Sequence, residues 1–479
     1  LSLHYALPIS DTTRYLACAV EPWLMRPVVR LQPLVATEGT PNIDLAALAK
    51  QVEGVAVVLP PIAIRSAAHW AKTVLGLGKD VDAILPVSIT SYPTEWWNSH
   101  PEPLVKRGLP FIFWPIIAYD EPDFWRWSAT DMLKTVGVPV HLVENTRAGL
   151  ALLRSLGMRR MLKGSKIVVF GGQNFPWNAH AAGRFVTGSL GTRIVVRPIE
   201  AIRRRAAKVS DAAVRAYWAA RKARYVECGV KPEELATAVR TTLAIRDILR
   251  KDRALGFGLN CFGDLIPKGG RDVPCLAQTL LREEGYIASC DGDFLAMMSM
   301  VLTTCFLDKP TMMSNMYPLR YVGALTDHFG GNPLSPGRSH PRAEWRNLAR
   351  LAHCGFVGVV SPEMTPDGKV ELKDWGGTWE IKRDGRGCGN AGRLAAGEKI
   401  TVVELKFDGK TLLVADGEVC ETTEHKGMPH CERTALLRFR DLEGFVADIS
   451  REHTVVVYGD HIPEFRVLAK TLGLAMKEF

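Results

Sequence analysis

The 479-residue chain has no Cys-x-x-Cys pair, no apolar run long enough to cross a membrane, and no dinucleotide pattern of three spaced glycines. Its ten cysteines, at 18, 228, 261, 275, 290, 305, 354, 388, 420 and 431, are scattered, and several sit in strongly apolar surroundings. They read as buried thiols in a reduced, cytoplasmic setting rather than as a disulfide framework. The apolar stretch 294–306 is too short for a membrane span and reads as a buried element. No internal repeat or low-complexity linker stands out.

What is present is a large apolar fraction, 47%, on a chain long enough for two to four domains with cores of their own. The net charge of +9 is concentrated in 203–224, where Arg203, Arg204, Arg205, Lys208, Arg215, Arg221, Lys222 and Arg224 recur at helical intervals. A solvated helix face is the first reading. No zinc finger or stacking-aromatic motif accompanies it, so nucleic-acid binding is the weaker alternative, and attraction of an anionic substrate a milder one. Residues 2–9 match the translation of a common sequencing adapter except for Tyr5, which replaces Asp. Residues 1–9 are therefore expected to be an artefact, with the true start missing and no signal-peptide pattern in view.

Hydrophobic periodicity predicts alternating strands and helices in the first third. Strands are expected at 55–59, 83–89, 111–117 and 138–142, and helices at 43–51, 64–75, 128–135 and 146–156. This implies an open parallel sheet over 1–163. A second α/β unit, 164–330, opens with a strand at 166–170 running into Gly171-Gly172. The glycine pair reads first as a turn, and a sugar contact by Gln173, Asn174, Trp177 or His180 is a weaker option. One long helical stretch is predicted over 210–253, followed by a strand at 254–260. Beyond 330 the texture turns to glycine-rich turns and short strands at 399–405, 411–415 and 418–422, which suggests a small antiparallel barrel. A returning tail, 454–472, completes the region 331–479. The fold class expected is α/β: two successive open, Rossmann-like parallel-sheet domains, then a small barrel-containing domain.

Three polar positions carry the chemistry: Asp291 in Cys290-Asp-Gly-Asp293, Asn315 in Met313-Ser-Asn315, and His453 before the β-rich 454–458. Asp291 and Asn315 are 24 residues apart and flank the apolar run 294–306 and a turn at 307–310, a strand–helix–turn–strand pattern. Both side chains are then expected at strand ends, on the carboxyl edge where parallel sheets bind ligands. Together the three make a hard O,O,N donor set suited to a divalent ion.

These residues resemble the L-fucose isomerase-like sugar isomerases, related in architecture to L-arabinose isomerase. In that family a Glu in a Glu-x-Asp turn, an Asp 24 residues later and a His before a Tyr-Gly strand bind manganese. The resemblance extends through Cys261, Pro274-Cys275, Gly285, the Cys290 block and the tail, covering most of the chain from about residue 28. It implies an aldose–ketose isomerase, working through a metal-bound cis-enediol with Mn2+ or another divalent metal, on a sugar substrate. It also implies a homo-oligomer, such as a hexamer, with active sites between subunits. Asp291, Asn315 and His453 would be the ligands, with Asp291 and Asn315 at the catalytic acid/base positions.

The chain departs from the family where it matters. Asp replaces Glu at 291, and Asn315 replaces a carboxylate, so its amide offers an oxygen but cannot act as a base. Asp293, Asp327 and His328 are the nearby substitutes. A non-catalytic sugar-binding homologue is the alternative, and another metal-assisted reaction remains open. Each residue also has a plainer reading: Asp291 and Asp293 as helix caps, Asn315 as a turn residue, His453 as a core histidine. His340, His353, His425 and His430 are left without a role. His353-Cys354 lies where the family shows a His-Cys pair, which core packing would explain equally well.

Overall fold

The computed structural model of the protein describes residues 21–36, 43–87, 96–171, 179–265, 272–321, 340–353, 361–374, 387–424 and 433–479. Asp327, His328, Gly172, Gln173, Asn174, Trp177, His425 and His430 lie outside these, as do residues 1–9, and His180 is described in its backbone alone. The chain divides into two compact units, Arg26–Met161 with Pro463–Leu472, and Leu162–Ile462 with the flanking stretches.

The first unit is built on a six-stranded parallel sheet: β1 (Val29–Ala36), β2 (Ala56–Val58), β3 (Ile62–Ile64), β4 (Ala83–Val87), β5 (Phe111–Phe113) and β6 (Val140–Leu142). The order is β2-β1-β4-β5-β6, with β3 paired to the far end of β1. Every residue of β4 is buried, the continuous apolar pattern expected where a parallel strand is covered on both faces. The predicted strands and helices of this region are found, most with bounds shorter or shifted by a few residues, while the helix expected at 146–156 runs on to Leu162.

The second unit combines a parallel sheet with a barrel. Its parallel strands are β7 (Lys166–Phe170), β8 (Arg193–Arg197), then β10 (Gly256–Leu259) and β11 (Ile287–Ser289), in the order β11-β10-β7-β8. Between them β9 (Tyr225–Glu227) leaves this sheet to join a small one with β14 (Val370–Asp374) and β15 (Cys388–Ala391). The single long helix predicted over 210–253 is therefore broken. It is a helix at Asp211–Ala219, a 3-10 turn, β9, and a second helix at Pro232–Asp252. Gly229 takes a left-handed φ of 69° and Pro232 opens the second helix, where its missing N–H costs no hydrogen bond.

The basic run 203–224 is divided over two helices and a 3-10 turn, and Arg203, Arg204, Arg205, Lys208, Arg215 and Lys222 are exposed, as a solvated face requires, while Arg221 and Arg224 turn inward. Arg221 is buried, 2.9 Å from the Glu284 carboxylate, with its guanidinium 3.8 Å over the Tyr217 ring. Arg224 pairs with Glu283 and Glu363.

The barrel is formed by β12 (Met312–Pro318), β13 (Leu348–Ala352), β16 (Lys399–Leu405), β17 (Thr411–Glu424), β18 (Arg433–Phe439) and β19 (His453–Tyr458). Antiparallel pairing runs β16-β19-β12-β13-β18-β17, and β17 pairs back onto β16, closing six strands into a ring. A last strand, β20 (Ala475–Glu478), adds to β17 in parallel. Two of the expected strands, 411–415 and 418–422, are one: β17 runs on through a bulge between Val419 and Glu421.

The expectation that 311–315 leads to the carboxyl edge of a parallel sheet is corrected. β12 is antiparallel to both its neighbours, and Asn315 sits within the strand rather than at its end. The apolar helix between β11 and β12, Phe294–Leu307, is found as predicted and almost wholly buried. It packs on β10 and β11 on the one hand and on β12, β16 and β19 on the other. Among the described residues, no helix is long and apolar enough to cross a membrane.

A candidate metal centre between the sheet and the barrel

Asp291 lies just past the carboxyl end of β11. The chain there turns through two successive left-handed residues, Asp291 at φ 53° and Gly292 at φ 71°. Asp291 pays a steric penalty that Gly292 avoids, and such outliers concentrate at functional sites. Backbone bonds from Gly292 to the Leu259 carbonyl, 3.0 Å, and from Asp293 to that of Cys290, 3.1 Å, fix the turn. Asp293 then caps the helix, its Oδ1 accepting from the Ala296 N–H at 2.8 Å. The cap reading of the sequence thus holds for Asp293, while Asp291 is free of that duty and faces the barrel.

On the barrel side, Asn315 pairs directly with His453, and Met313 with Val455. Directly paired residues share a face, so the Asn315 and His453 side chains stand side by side. His353 follows at the end of β13, whose Ala352 pairs with Asn315 from the other flank.

The Asp291 carboxylate lies between two imidazoles, its Oδ2 3.5 Å from His353 Nε2 and 3.6 Å from His453 Nε2. One donor atom from each of the three falls within 4.8 Å of the others, close enough to share an ion. His453 is oriented by its other nitrogen, Nδ1, 2.9 Å from Asp293 Oδ2. A carboxylate behind a histidine is how metal sites fix the ring and its tautomer. Asp293 is held in turn by Arg451, whose Nε is 3.2 Å from Oδ2, while Arg451 also pairs with Glu404 at 3.4 Å. All three side chains of this ion cluster are fully buried.

Electrostatics bind these groups together. Burial would raise the Asp291 pKa, but the two imidazoles hold it well below the usual carboxylate range. For His453 burial would favour the neutral ring, yet Asp291 and Asp293 lift its pKa to about 10. Asp293 is likewise raised by burial and, more strongly, lowered by Arg451 and His453. The charged forms therefore stabilise one another, and a cation arriving at Nε2 would replace a proton.

Of the three positions named from sequence, Asp291 and His453 are in this cluster. Asn315 stands beside it: its Nδ2 donates to the Tyr317 hydroxyl at 2.9 Å, and its Oδ1 is buried and has no hydrogen-bond partner among the described residues. An amide oxygen in that state is chemically able to ligate a cation. His353 completes the trio without having been assigned a role from sequence. The His353-Cys354 pair was its single signal, and the register Asn315↔Ala352 that brings it in is not legible in residue spacing. His340 lies apart, 3.7 Å from Glu344.

Other polar groups collect at the same carboxyl edge. Gly171, after β7, has φ 79° and approaches Asp264 so closely that a Cβ would sit 3.1 Å from its carboxylate. Asp264 accepts from Asn260 at 3.3 Å, and Asn260 borders Gly292. The sheet order reverses between β7 and β10, so this is the switch point where open α/β sheets bind ligands. Gly171 is thus a turn glycine, as first read, placed at that crevice.

Two imidazoles and one carboxylate, with an amide oxygen beside them, form a donor set able to hold a divalent ion. No protein-family model matches the chain, and the curated proteins contain no match to it.

Proposed function

We propose that the chain is a metal-dependent sugar isomerase of the L-fucose isomerase-like kind, interconverting an aldose and a ketose. The observation that carries this reading is the Asp291 carboxylate held between His353 and His453 beside the unpartnered Asn315 Oδ1. Asp291, His353, His453 and Asn315 would hold the ion, manganese by the resemblance. The ion would supply Lewis-acid polarisation of neighbouring carbonyl and hydroxyl oxygens, lowering the energy of the enediolate.

The protein's own contribution is to orient and to carry a proton. Asp293 fixes the His453 ring, and the buried Arg451–Glu404 pair keeps Asp293 in place. Asp293 is therefore committed to positioning and is a poor acid/base candidate. The proton passing between neighbouring sugar carbons would rest on a carboxylate oxygen of Asp291, because the lone pair of a ligating His353 Nε2 is already engaged. With this reading go two Rossmann-like parallel-sheet domains, a reduced cytoplasmic setting and a homo-oligomer.

The rival reading is a sugar-binding homologue without turnover. It is favoured by Asn315, whose amide cannot take a proton. Metal analysis of the purified protein, with a manganese-supplemented screen over pentoses, 6-deoxyhexoses and hexoses, decides between them. Bound metal that disappears in His453→Ala, together with turnover of any sugar, supports the isomerase; metal-free protein without turnover sinks it.

A further inference from the structure

A second group of potential ligands adjoins the first, sharing Asp291 with it, and its two thiols are not used by the proposed reaction. Cys261 follows β10 and Cys290 follows β11, and these are neighbouring parallel strands, with Gly258 paired to Ser289. Both thiols therefore emerge at the same edge as Asp291, and all are buried. Cys261 Sγ lies 3.4 Å from Asp291 Oδ1, the oxygen opposite the one facing the imidazoles. Cys261 Sγ, Cys290 Sγ and an Asp291 oxygen all fall within 4.8 Å of one another. No disulfide joins either cysteine.

The Cys290 side is also supported from behind. Gln278 Nε2 donates to its sulfur at 3.5 Å, and its own N–H reaches the Met313 sulfur at 3.1 Å. Donors aimed at a sulfur stabilise a thiolate and fix its direction, the role that outer-shell groups play around metal-bound cysteines. A pair of thiols buried only for packing needs no such donor.

We infer that Cys261, Cys290 and Asp291 form a second cation subsite, adjoining the imidazole subsite through the shared Asp291 carboxylate and selective for a soft or borderline ion of the zinc and cadmium class. Its chemistry is complementary to that of the first: S,S,O against N,N,O, so a hard ion such as manganese should prefer the imidazole side. Each thiol releases one proton to solvent as its sulfur takes up the ion, and no oxidant or reductant is required. The inference goes beyond the isomerase reading and does not depend on it.

The test is titration of the full chain with cadmium alone and, separately, manganese alone. Cadmium should produce the thiolate-to-metal charge-transfer absorption in the ultraviolet, which Cys261→Ser and Cys290→Ser each abolish and His453→Ala retains. Manganese should produce no such band, and its binding should be lost in His453→Ala and kept in the serine variants, which also reports that these fold. X-ray absorption of the zinc-loaded wild-type chain needs no variant: a sulfur shell at about 2.3 Å is expected. Cadmium binding without the band, a band that survives both serine substitutions, or a zinc spectrum with nitrogen and oxygen neighbours alone would each overturn the inference. Failure of manganese binding alone would count against the isomerase reading and leave the thiol subsite standing.

Discussion

Asp293 Oδ2 lies 2.9 Å from His453 Nδ1, and this contact turns the opposite ring nitrogen towards Asp291. One residue thus closes a helix N-terminus with one oxygen and aims a barrel histidine with the other. The first expected consequence concerns metal affinity. Asp293→Asn keeps the cap, since Asn caps as well as Asp, but weakens the hold on the ring. Loss of an outer-shell partner of this kind lowers metal affinity by about 10–100-fold. Competition against a chelator measures it, and an unchanged affinity would show that His453 needs no such support.

Replacing Asn315 by Asp places an anionic oxygen where an uncharged one has no hydrogen-bond partner among the described residues. Asn315→Asp should tighten divalent-ion binding by about tenfold, a step of about 1.4 kcal/mol. If the chain is an isomerase, turnover should rise as well. Tighter metal binding and intact sugar binding without turnover would instead identify a binding protein.

The buried Arg451 answers two carboxylates, those of Asp293 and Glu404, and burial holds the Glu404 pKa above normal despite that partner. Its Nη1 also donates to the Leu405 carbonyl at 2.9 Å. Arg451→Met strands both acids in the interior and should destabilise the fold by about 3–5 kcal/mol. Urea unfolding is the measurement, and Glu404→Gln in the same chain should recover part of the loss. A cost below about 1 kcal/mol would mean that the cluster is not ionised as described.

Glu283 provides a pH signature away from the centre. Burial drives its pKa from 4.5 up to about 7, against the pull of Arg224. Below pH 4.5 the group is protonated whether folded or not and contributes no pH dependence. As pH rises from there the unfolded chain loses the proton first, so stability declines until about pH 7 and then levels off. Denaturant midpoints across this window should flatten in Glu283→Gln. The same slope in wild type and variant would assign it to other groups.

Much of the fold was legible because its elements have distinct periods. The strand at Lys166–Phe170 and the helix at Phe294–Leu307 are short, dense apolar runs with clear stops, and they appear where expected. Sheet polarity was not legible. Met312–Pro318 reads as a strand in either a parallel sheet or a barrel, because both faces are buried and alternation vanishes. Helical periodicity persists across 210–253, and the breakers Gly229 and Pro232 are the residues that divide it. At the centre, Asp291 and His453 were found through their residue types and order. His353 was not, since it reaches Asp291 through strand pairing, and a lone histidine gives no sign of such a neighbour.

The helix Phe294–Leu307 ties the parallel sheet to the barrel, and its first residues are joined to β19 by a contact spanning 160 positions of sequence. The centre therefore cannot exist until β19 has returned and the ring of strands is complete, a closure that is slow because its chain-entropy cost precedes its contacts. An ion bound there acts only on the finished molecule. It would slow unfolding far more than it speeds folding, and so would act as a kinetic lock on the barrel.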